Sequence, residues 1–504
     1  MCLKEFMENT SIWEKTETLP ERSALTEDLS VDAAVVGGGL AGILTAYYLA
    51  KAGLHVVVLE RGHIGGGQTG RTTAKITSQH SLIYHNLFEK FGEEKAHQYA
   101  EANEQAIEEY SRIIKEEGID CDFTRCPAYL YTTEKESESE NVRLLKMEYE
   151  AAKKLGISAS LVTETELPVP VTFALRFDHQ AKFHPLKFLY AISKSLEIYE
   201  HTEVLRVEED KLYTPNGIVT AKHIVFCCHY PFQITPGYYF MRMHQERSYV
   251  VALSSKDEKC DGKLSDLFPG MYLGIDLDGL SFRSWHNVLL LGGGGHRTGE
   301  NRTGGQFARL RQAAEKYYPN LHEVAAWSAQ DCMTLDNIPY IGQFSASTPN
   351  WYVATGFRKW GMTSSMVAAQ LIAGLIQNGS HPWEEVFSPQ RFSLQASGKK
   401  LAEEMGHAAK DLSRRIFAPP RAEIDALPKG HGGVVEYKGK KCGVYKDENG
   451  EVFVVSVKCP HLGCQLEWNP DTKSWDCPCH GSRFDYQGRL LDGPAQEGLT
   501  EKES

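Results

Sequence analysis

A glycine-rich turn between two apolar runs near the start of the chain limits the fold more than any other feature of the sequence. From Asp32 to Glu60 the sequence reads DAAVVGGGLAGILTAYYLAKAGLHVVVLE: an apolar run, a glycine turn, a helical pattern and a second apolar run. This order predicts a strand, a helix and a second strand that open a parallel sheet. An α/β fold is therefore expected.

The turn itself fits the pattern G-x-G-x-x-G. Gly37 permits the tight turn, Gly39 lets the backbone approach a pyrophosphate, and Gly42 lets the helix pack on the strand. The helix N-terminus favours an anion. Glu60 ends the second apolar run 18 residues after Gly42, where a carboxylate can accept hydrogen bonds from a ribose. The sequence predicts a dinucleotide site; the alternative is a glycine turn with a structural role alone.

The loop after Glu60, RGHIGGGQTGRTTAKIT, is richer in hydrogen-bond donors than an NAD-binding fold requires. With this loop, residues 30 to about 380 resemble the D-amino-acid oxidase and sarcosine oxidase superfamily of FAD-dependent oxidoreductases. The resemblance extends to Phe183-His184-Pro185, to AKHIVFCCHYPF at 221 to 232, and to DNIPYIG with WYVATGFRKWGM. It implies that FAD is lined by Arg61, Gly67, Thr69, Arg71, Thr72 and Thr73 from the loop, and by Gly356, Trp360, Gly361 and Met362 from the last block.

A second glycine run, Gly292 to Gly295, precedes HRTGENRTGG and opens no further G-x-G-x-x-G helix. One dinucleotide site is therefore expected, and an organic substrate, an amine or amino acid, is favoured over NAD(P)H as the partner of the flavin. The sequence contains no motif that identifies a catalytic acid, a catalytic base or a carboxylate-binding Arg. Candidates for a substrate role are Arg283, His286, His296, Arg297 and Lys359, although for each of them a surface or structural role is the favoured interpretation. Cys332 is a candidate for covalent attachment of FAD.

A cysteine and histidine cluster, CPHLGCQLEWNPDTKSWDCPCHGS, lies near the end of the chain. Cys459-x-His461 and Cys477-x-x-His480 are separated by 15 residues, so two loops each present one thiolate and one imidazole. A Rieske 2Fe-2S cluster needs two Cys on one iron and two His on the other. The alternative is structural zinc, although zinc sites usually space paired cysteines by two to four residues.

The flanking motifs HLGC and CPCHGS, with Gly493-Pro494-Ala495 as a third loop, resemble Rieske proteins over about 428 to 499. The resemblance implies that Cys459 and Cys477 bind one iron and that His461 and His480 bind the other. It also implies a disulfide between Cys464 and Cys479, and a hydrogen bond from Ser482 to sulfur. Phe484 stands where respiratory members carry a Tyr hydroxyl, so a lower potential is expected.

The chain is expected to divide into an N-terminal extension (1–30), an FAD-dependent oxidoreductase with interleaved FAD-binding and substrate subdomains (31–417), a linker (418–427) and a Rieske domain (428–504). A mixed sheet is predicted within 171 to 300, and strand, turn and helix within 351 to 379. An amphipathic helix is predicted from Asn86 to Gly118, and a polar helix up to about Phe417. Prolines and glycines in APPRAEIDALPKGHGG indicate the linker, and a small all-β domain follows.

Composition excludes several classes of function. A formal charge of −12 disfavours nucleic-acid binding, which needs clustered Lys and Arg. No run of 18 apolar residues indicates a membrane span, and the first 30 residues lack a signal pattern. A cytoplasmic location is therefore expected.

Together these features predict an FAD-dependent oxidoreductase that passes electrons singly through a Rieske cluster to an external partner. The alternative is an electron carrier or redox sensor without substrate chemistry, which a closed cavity lined by Arg or His would oppose. A Rieske oxygenase is a third possibility, with Asp178, His179 and His184 as iron ligands. The order of the modules disfavours it, because the Rieske module of such enzymes normally comes first.

Overall fold

The computed structural model describes residues 9–135, 139–255, 264–391, 427–437 and 439–499. The polar helix predicted up to Phe417 and nearly all of the predicted linker lie outside these residues. The proposed domain limits stay predictions.

Helices and strands are mixed up to Phe387, and the described residues from 427 onward contain strands and no helix. The helices are α1 (Ile12–Thr16), α2 (Leu40–Lys51), α3 (Tyr84–Phe91), α4 (Glu93–Glu116), α5 (Glu140–Lys154), α6 (Pro185–Ser193), α7 (Leu264–Leu267), α8 (Gln306–Tyr317), α9 (Gly361–Asn378) and α10 (Glu384–Phe387). The strands up to the middle of the chain are β1 (Leu29–Val36), β2 (Val56–Leu59), β3 (Lys75–Ile76), β4 (Thr124–Thr132), β5 (Ala159–Val162), β6 (Phe173–Lys182), β7 (Glu197–Tyr199), β8 (Arg206–Glu208), β9 (Lys211–Thr214), β10 (Gly217–Phe226) and β11 (Met243–Ser255). Those that follow are β12 (Met271–Gly274), β13 (Ser281–Trp285), β14 (Val288–Arg297), β15 (Leu321–Thr334), β16 (Tyr340–Ser345), β17 (Thr348–Thr355), β18 (His431–Tyr437), β19 (Lys440–Lys446), β20 (Val452–Ser456), β21 (Glu467–Asn469), β22 (Ser474–Asp476), β23 (Arg483–Asp485) and β24 (Leu490–Asp492).

The predicted strand, helix and strand unit is confirmed as β1, α2 and β2. These strands belong to an eight-stranded sheet with the order β16-β17-β10-β1-β2-β7, extended by the β8–β9 hairpin beside β10. From β17 to β7 the neighbouring strands are parallel. Strand β2 is buried along its whole length and reads VVVL, as expected for a strand covered on both faces. The carboxyl ends of β1 and β10 therefore meet at one edge, beside the glycine turn.

The mixed sheet predicted for the middle of the chain is also confirmed. Its nine strands follow the order β15-β11-β14-β13-β12-β4-β6-β3, with β5 beside β6. All neighbours are antiparallel except β12 and β4. Gly292 to Gly295 lie within β14, so this glycine run is part of an antiparallel strand rather than a second dinucleotide turn.

The described residues from 427 onward form the predicted small all-β unit. One sheet has the order β18-β19-β20 and the other β21-β22-β23-β24. Its core includes Trp475, Leu466 and Phe484, all fully buried. The loops that carry the cysteines and histidines precede β21 and join β22 to β23.

One sequence prediction is wrong in detail. The single helix expected from Asn86 to Gly118 is divided into α3 and α4 at Gly92, whose φ of 84° lies in the left-handed region that glycine tolerates. The apolar stripe continues across the break, which explains why periodicity did not reveal it. In the part of the chain that the structure describes, no helix is both long and apolar enough to cross a membrane.

Candidate functional site

The glycine turn forms one wall of the main cavity. A Cβ at Gly37 would lie 2.6 Å from the Cys227 carbonyl oxygen, and one at Gly42 would lie 1.9 Å from the Gly37 carbonyl oxygen. Both positions therefore require glycine, as the motif predicts. The Glu60 carboxylate accepts hydrogen bonds from the backbone N–H groups of Gly38 (2.7 Å) and Gly62 (2.8 Å), which fixes it beside the turn.

Most residues expected to line the dinucleotide come together around this cavity. They are Gly37, Gly39, Glu60, Arg61, Gly67, Thr69, Thr72, Gly356, Gly361 and Met362. Segments separated by about 300 residues in the sequence thus meet in one place. The Thr69 hydroxyl accepts a hydrogen bond from the Leu40 N–H (2.9 Å) and so occupies one of the free donors at the start of α2.

The other four residues that were expected to line the dinucleotide make contacts within the protein. Gly42 packs against the Gly37 carbonyl, as described above. The Arg71 carbonyl accepts a hydrogen bond from the Trp327 ring N–H (2.8 Å), and the Thr73 carbonyl accepts one from Arg283 (2.6 Å). The Trp360 ring stacks on His80, with the ring centroids 5.1 Å apart.

All five candidate substrate residues lie in the described part of the chain. Of these five, Lys359 alone lines the cavity. Arg283 is buried and donates to the carbonyls of Thr73 and Phe183, and burial lowers its pKa to about 9. Its contacts indicate a structural role.

The three remaining candidates also have partners elsewhere. His286 contacts Asp122 at the surface (3.0 Å). His296 contacts the Tyr249 hydroxyl (3.0 Å), and Arg297 donates to the Pro478 carbonyl (3.2 Å). Cys332 does line the cavity, and burial raises the pKa of its thiol well above the usual range. Its covalent attachment to a cofactor stays a prediction.

The C-terminal cluster is built from two similar loops. The Gly463 N–H donates to the Cys459 carbonyl (2.9 Å), and the Gly481 N–H donates to the Cys477 carbonyl (3.0 Å). These turns bring the His461 and His480 rings to 4.9 Å between centroids. The Cys459 and Cys477 thiols are within hydrogen-bonding reach of each other. All four expected ligands therefore converge.

The donor set fits an iron-sulfur cluster. His461 Nδ1 is buried without a hydrogen-bond partner, and burial lowers the pKa of this ring to about 4, so it is neutral as a metal ligand must be. Cys464 and Cys479 form a disulfide (S–S 2.23 Å) that joins the two loops and leaves Cys459 and Cys477 as the free thiols. Ser482 hydrogen bonds to Cys459, as expected from the sequence.

Comparison with known proteins assigns both parts. The family described as FAD dependent oxidoreductase matches residues 32–375, and the Rieske [2Fe-2S] domain matches residues 419–502. The chain belongs to the FAD dependent oxidoreductase family. Its C-terminal part is a Rieske domain, so the cofactors are FAD and a 2Fe-2S cluster rather than zinc.

Three proteins are similar to all or part of this chain. The chain is 37% identical to YhfW of Bacillus subtilis, named a Rieske 2Fe-2S iron-sulfur protein, over 97% of this chain and 96% of that one. It is 23% identical to gamma-glutamylputrescine oxidoreductase of Escherichia coli, over 71% of this chain and 87% of the relative. The crystal structure of glycine oxidase from Geobacillus kaustophilus shares the fold, with a TM-score of 0.60 at 20% identity, over 72% of this chain and all of that one.

The Rieske domain docks on the FAD-dependent oxidoreductase unit through two buried glutamines, Gln245 on β11 and Gln330 on β15, which we name the interface glutamines. Gln245 Nε2 donates to the carbonyls of His480 (2.6 Å) and Gly493 (3.1 Å). Gln330 Nε2 donates to the Gly481 carbonyl (2.8 Å) and to Gln245 Oε1 (2.7 Å). The backbone around one iron ligand is therefore fixed directly to the mixed sheet.

Further contacts extend this interface. The Phe240 ring packs edge-on against His480 (5.6 Å between centroids) and His461 (6.4 Å). The Asp471 carboxylate accepts hydrogen bonds from the Asn301 side chain and from the Gln306 backbone N–H at the start of α8.

The third Rieske loop reaches the flavin cavity. Asp492, Gly493, Pro494, Ala495 and Gln496 all line it, beside the flavin-binding loop. Sequence reasoning placed this loop near the cluster but not near FAD, because nothing in a local motif indicates how two domains dock. It also overlooked Asp331, which lines the cavity next to Cys332 in the segment QDCMTLD. An acidic residue directly before Cys332, in a segment already considered for the flavin site, was the signal available.

The residues considered for a mononuclear iron site do not come together as one among the described residues. Asp178 pairs with Arg176 (2.8 Å). His184 caps α6 by accepting from the Lys187 N–H (3.3 Å) and contacts the Thr16 hydroxyl (3.0 Å). Their contacts indicate structural roles, which argues against an oxygenase.

Proposed function

We propose that this protein oxidises a small amine or amino acid at FAD and passes the electrons singly, through its Rieske cluster, to an external acceptor. The observation that carries the proposal is the position of the third Rieske loop, residues 492–496, in the wall of the flavin cavity. A short separation favours electron exchange between the centres, and fusion in one chain keeps their effective concentration high.

When bound, FAD would supply the two-electron oxidation of a C–N bond. Around it the chain has distinct tasks. The turn at Gly37 to Gly39 and the start of α2 would accommodate the pyrophosphate, and Glu60 would accept hydrogen bonds from the ribose. The wall formed by Ala329 and Asp331 faces the cavity from the mixed sheet, where a substrate would lie. In the Rieske domain, Cys459 and Cys477 would hold one iron, and His461 and His480 the other.

Two observations support substrate chemistry over a simple electron carrier. Arg358 and His229 line the cavity, so its wall carries polar groups beyond those that bind a dinucleotide. Relatives named for glycine and for gamma-glutamylputrescine share the fold of the FAD part. The cytoplasmic location expected from the sequence stays a prediction.

Anaerobic mixing of the holoprotein with a panel of amines and amino acids tests the proposal. Flavin absorbance should bleach first, and the cluster signal in electron paramagnetic resonance should then appear. A Cys459→Ser variant is the control: its flavin should bleach without any cluster signal. If no member of the panel reduces the flavin, or if the cluster stays oxidised while the flavin is reduced, the proposed function is wrong.

A further inference from the structure

Asp331 is a partly exposed acid in the wall of the flavin cavity, and the contacts described above give it no role. It lies on β15 directly opposite Glu246 on β11. Because side chains of a directly opposed pair point to the same face of a sheet, Asp331 and Glu246 are neighbours. Ala329, two residues earlier, lines the cavity together with Asp331. This face of the mixed sheet is therefore the cavity wall.

The two neighbouring acids differ in their partners. Glu246 is paired with Lys359 (3.3 Å) and His244 (3.5 Å). The Asp331 carboxylate has no hydrogen bond or ion pair with any residue in the described ranges. Burial raises its pKa to about 7, with Glu246 adding to the effect and Lys359 opposing it. A carboxylate held out of water without a partner is costly, so it favours a ligand that supplies a positive charge or a hydrogen-bond donor.

Among the described residues, no cation pairs with Asp331. Lys359 is shared with Glu246, which leaves one carboxylate of the pair uncompensated. Arg358 also lines the cavity with its Nε unpaired in the described ranges, but it does not act on the pKa of Asp331, and the groups that act on its own pKa are Tyr99, Glu246 and Asp336. Arg247 alternates to the other face of β11, where it bonds to Ser328. The cavity wall at Asp331 therefore suits a single cation.

We propose that Asp331 binds the protonated amino group of the substrate, so that this site selects cationic amines. The inference rests on the proposed function and narrows its substrate class. A charge-assisted hydrogen bond in a cavity shielded from water is stronger than a neutral one. Such a bond would orient the amine-bearing carbon toward the flavin.

Ligand titrations of the holoprotein test this without turnover. Perturbation of the flavin absorption spectrum reports binding of two cations, benzylamine and 1,4-diaminobutane, and of two anions, benzoate and acetate. The variants are Asp331→Asn, which removes the charge at constant size, and Asp331→Glu, which keeps it. Glu323→Gln, on the same strand but at the surface with Arg311, is the matched control. The flavin-to-protein ratio shows that each variant is folded.

Asp331→Asn should weaken binding of both cations at least tenfold and leave binding of the anions unchanged. Asp331→Glu should retain part of the affinity for the cations. Glu323→Gln should bind all four ligands as the wild type does. Equal cation affinity in the wild type and Asp331→Asn would overturn the inference, as would tighter anion than cation binding, or no cation binding at all, in the wild type. The failure of the proposed function looks different: cations would bind in an Asp331-dependent manner, and yet no amine would reduce the flavin.

Discussion

Replacing Gln245 by Leu should undock the Rieske loops from the mixed sheet. Gln245 is 1% exposed and stands between the two domains. Its Nε2 donates to the carbonyls of His480 and Gly493, and its Oε1 accepts from Gln330 Nε2. Leu has nearly the same volume and can make none of these bonds. The change therefore isolates the polar contribution to docking.

The size of the effect follows from these contacts. A neutral hydrogen bond contributes about 1 kcal/mol net, and an unsatisfied buried carbonyl costs about 1–3 kcal/mol. Gln330 keeps its bond to Gly481, so the deficit falls mainly on His480 and Gly493. The free energy of docking should weaken by about 3 kcal/mol, which is roughly a 100-fold change in the docking equilibrium.

Hydrogen exchange in peptides that contain residues 478–482 and 492–496 measures this opening. Amide exchange there should accelerate by about 100-fold in Gln245→Leu if opening precedes exchange. The same substitution at Gln343 on β16, whose Nε2 donates to the Ser345 carbonyl away from the interface, is the control and should leave both peptides unchanged. Unaltered exchange in Gln245→Leu would show that the glutamine does not hold the domains together.

Three further outcomes are expected. Ser482→Ala should lower the cluster potential by roughly 45 mV, because it removes about 1 kcal/mol of hydrogen bonding to the Cys459 sulfur; a redox titration followed by electron paramagnetic resonance checks this. His461→Ala should abolish the cluster but retain FAD, as measured by iron content and flavin absorbance, and retention of the native cluster spectrum would contradict the ligand assignment. Burial lowers the pKa of His80 to about 3, so the folded protein binds fewer protons there than the unfolded chain and loses stability as the pH falls. Between about pH 7.5 and 5.5, the stability advantage of the wild type over His80→Gln should therefore shrink by about 1.4 kcal/mol, as measured by chemical denaturation. A difference that stays constant with pH would show that His80 is not the source of this pH dependence.

Candidate residues for binding the cofactors could be named from the sequence because their chemistry is local. Gly37 and Gly42 are required by backbone contacts within one strand, turn and helix unit. The cysteine and histidine ligands lie on two short loops, and their spacing restricts the geometry of each loop. Each of these motifs specifies its own local structure, so both cofactor sites could be recognised from the sequence.

Other predictions depended on packing and were less successful. Periodicity indicated one helix through Gly92, because the positive φ at this glycine does not interrupt the apolar stripe. Arg283 was one of several candidates for a substrate role, and its hydrogen bonds to the carbonyls of Thr73 and Phe183 agree with the structural alternative. A cationic side chain near an expected active site has the same sequence appearance whether it meets a ligand or a carbonyl.

The sequence by itself determined the two modules and their cofactors and predicted the groups that would hold them, since each is encoded by short-range spacing. Tertiary structure alone decided how the modules meet. Gln245 and His480 are 235 positions apart, and no local pattern relates them. The same is true of Asp331, whose character comes from its position opposite Glu246 and from its place in a cavity that several separate segments enclose. Contacts of this kind arise only when distant strands pair and exclude water, so they exist in the folded chain and nowhere in the linear one.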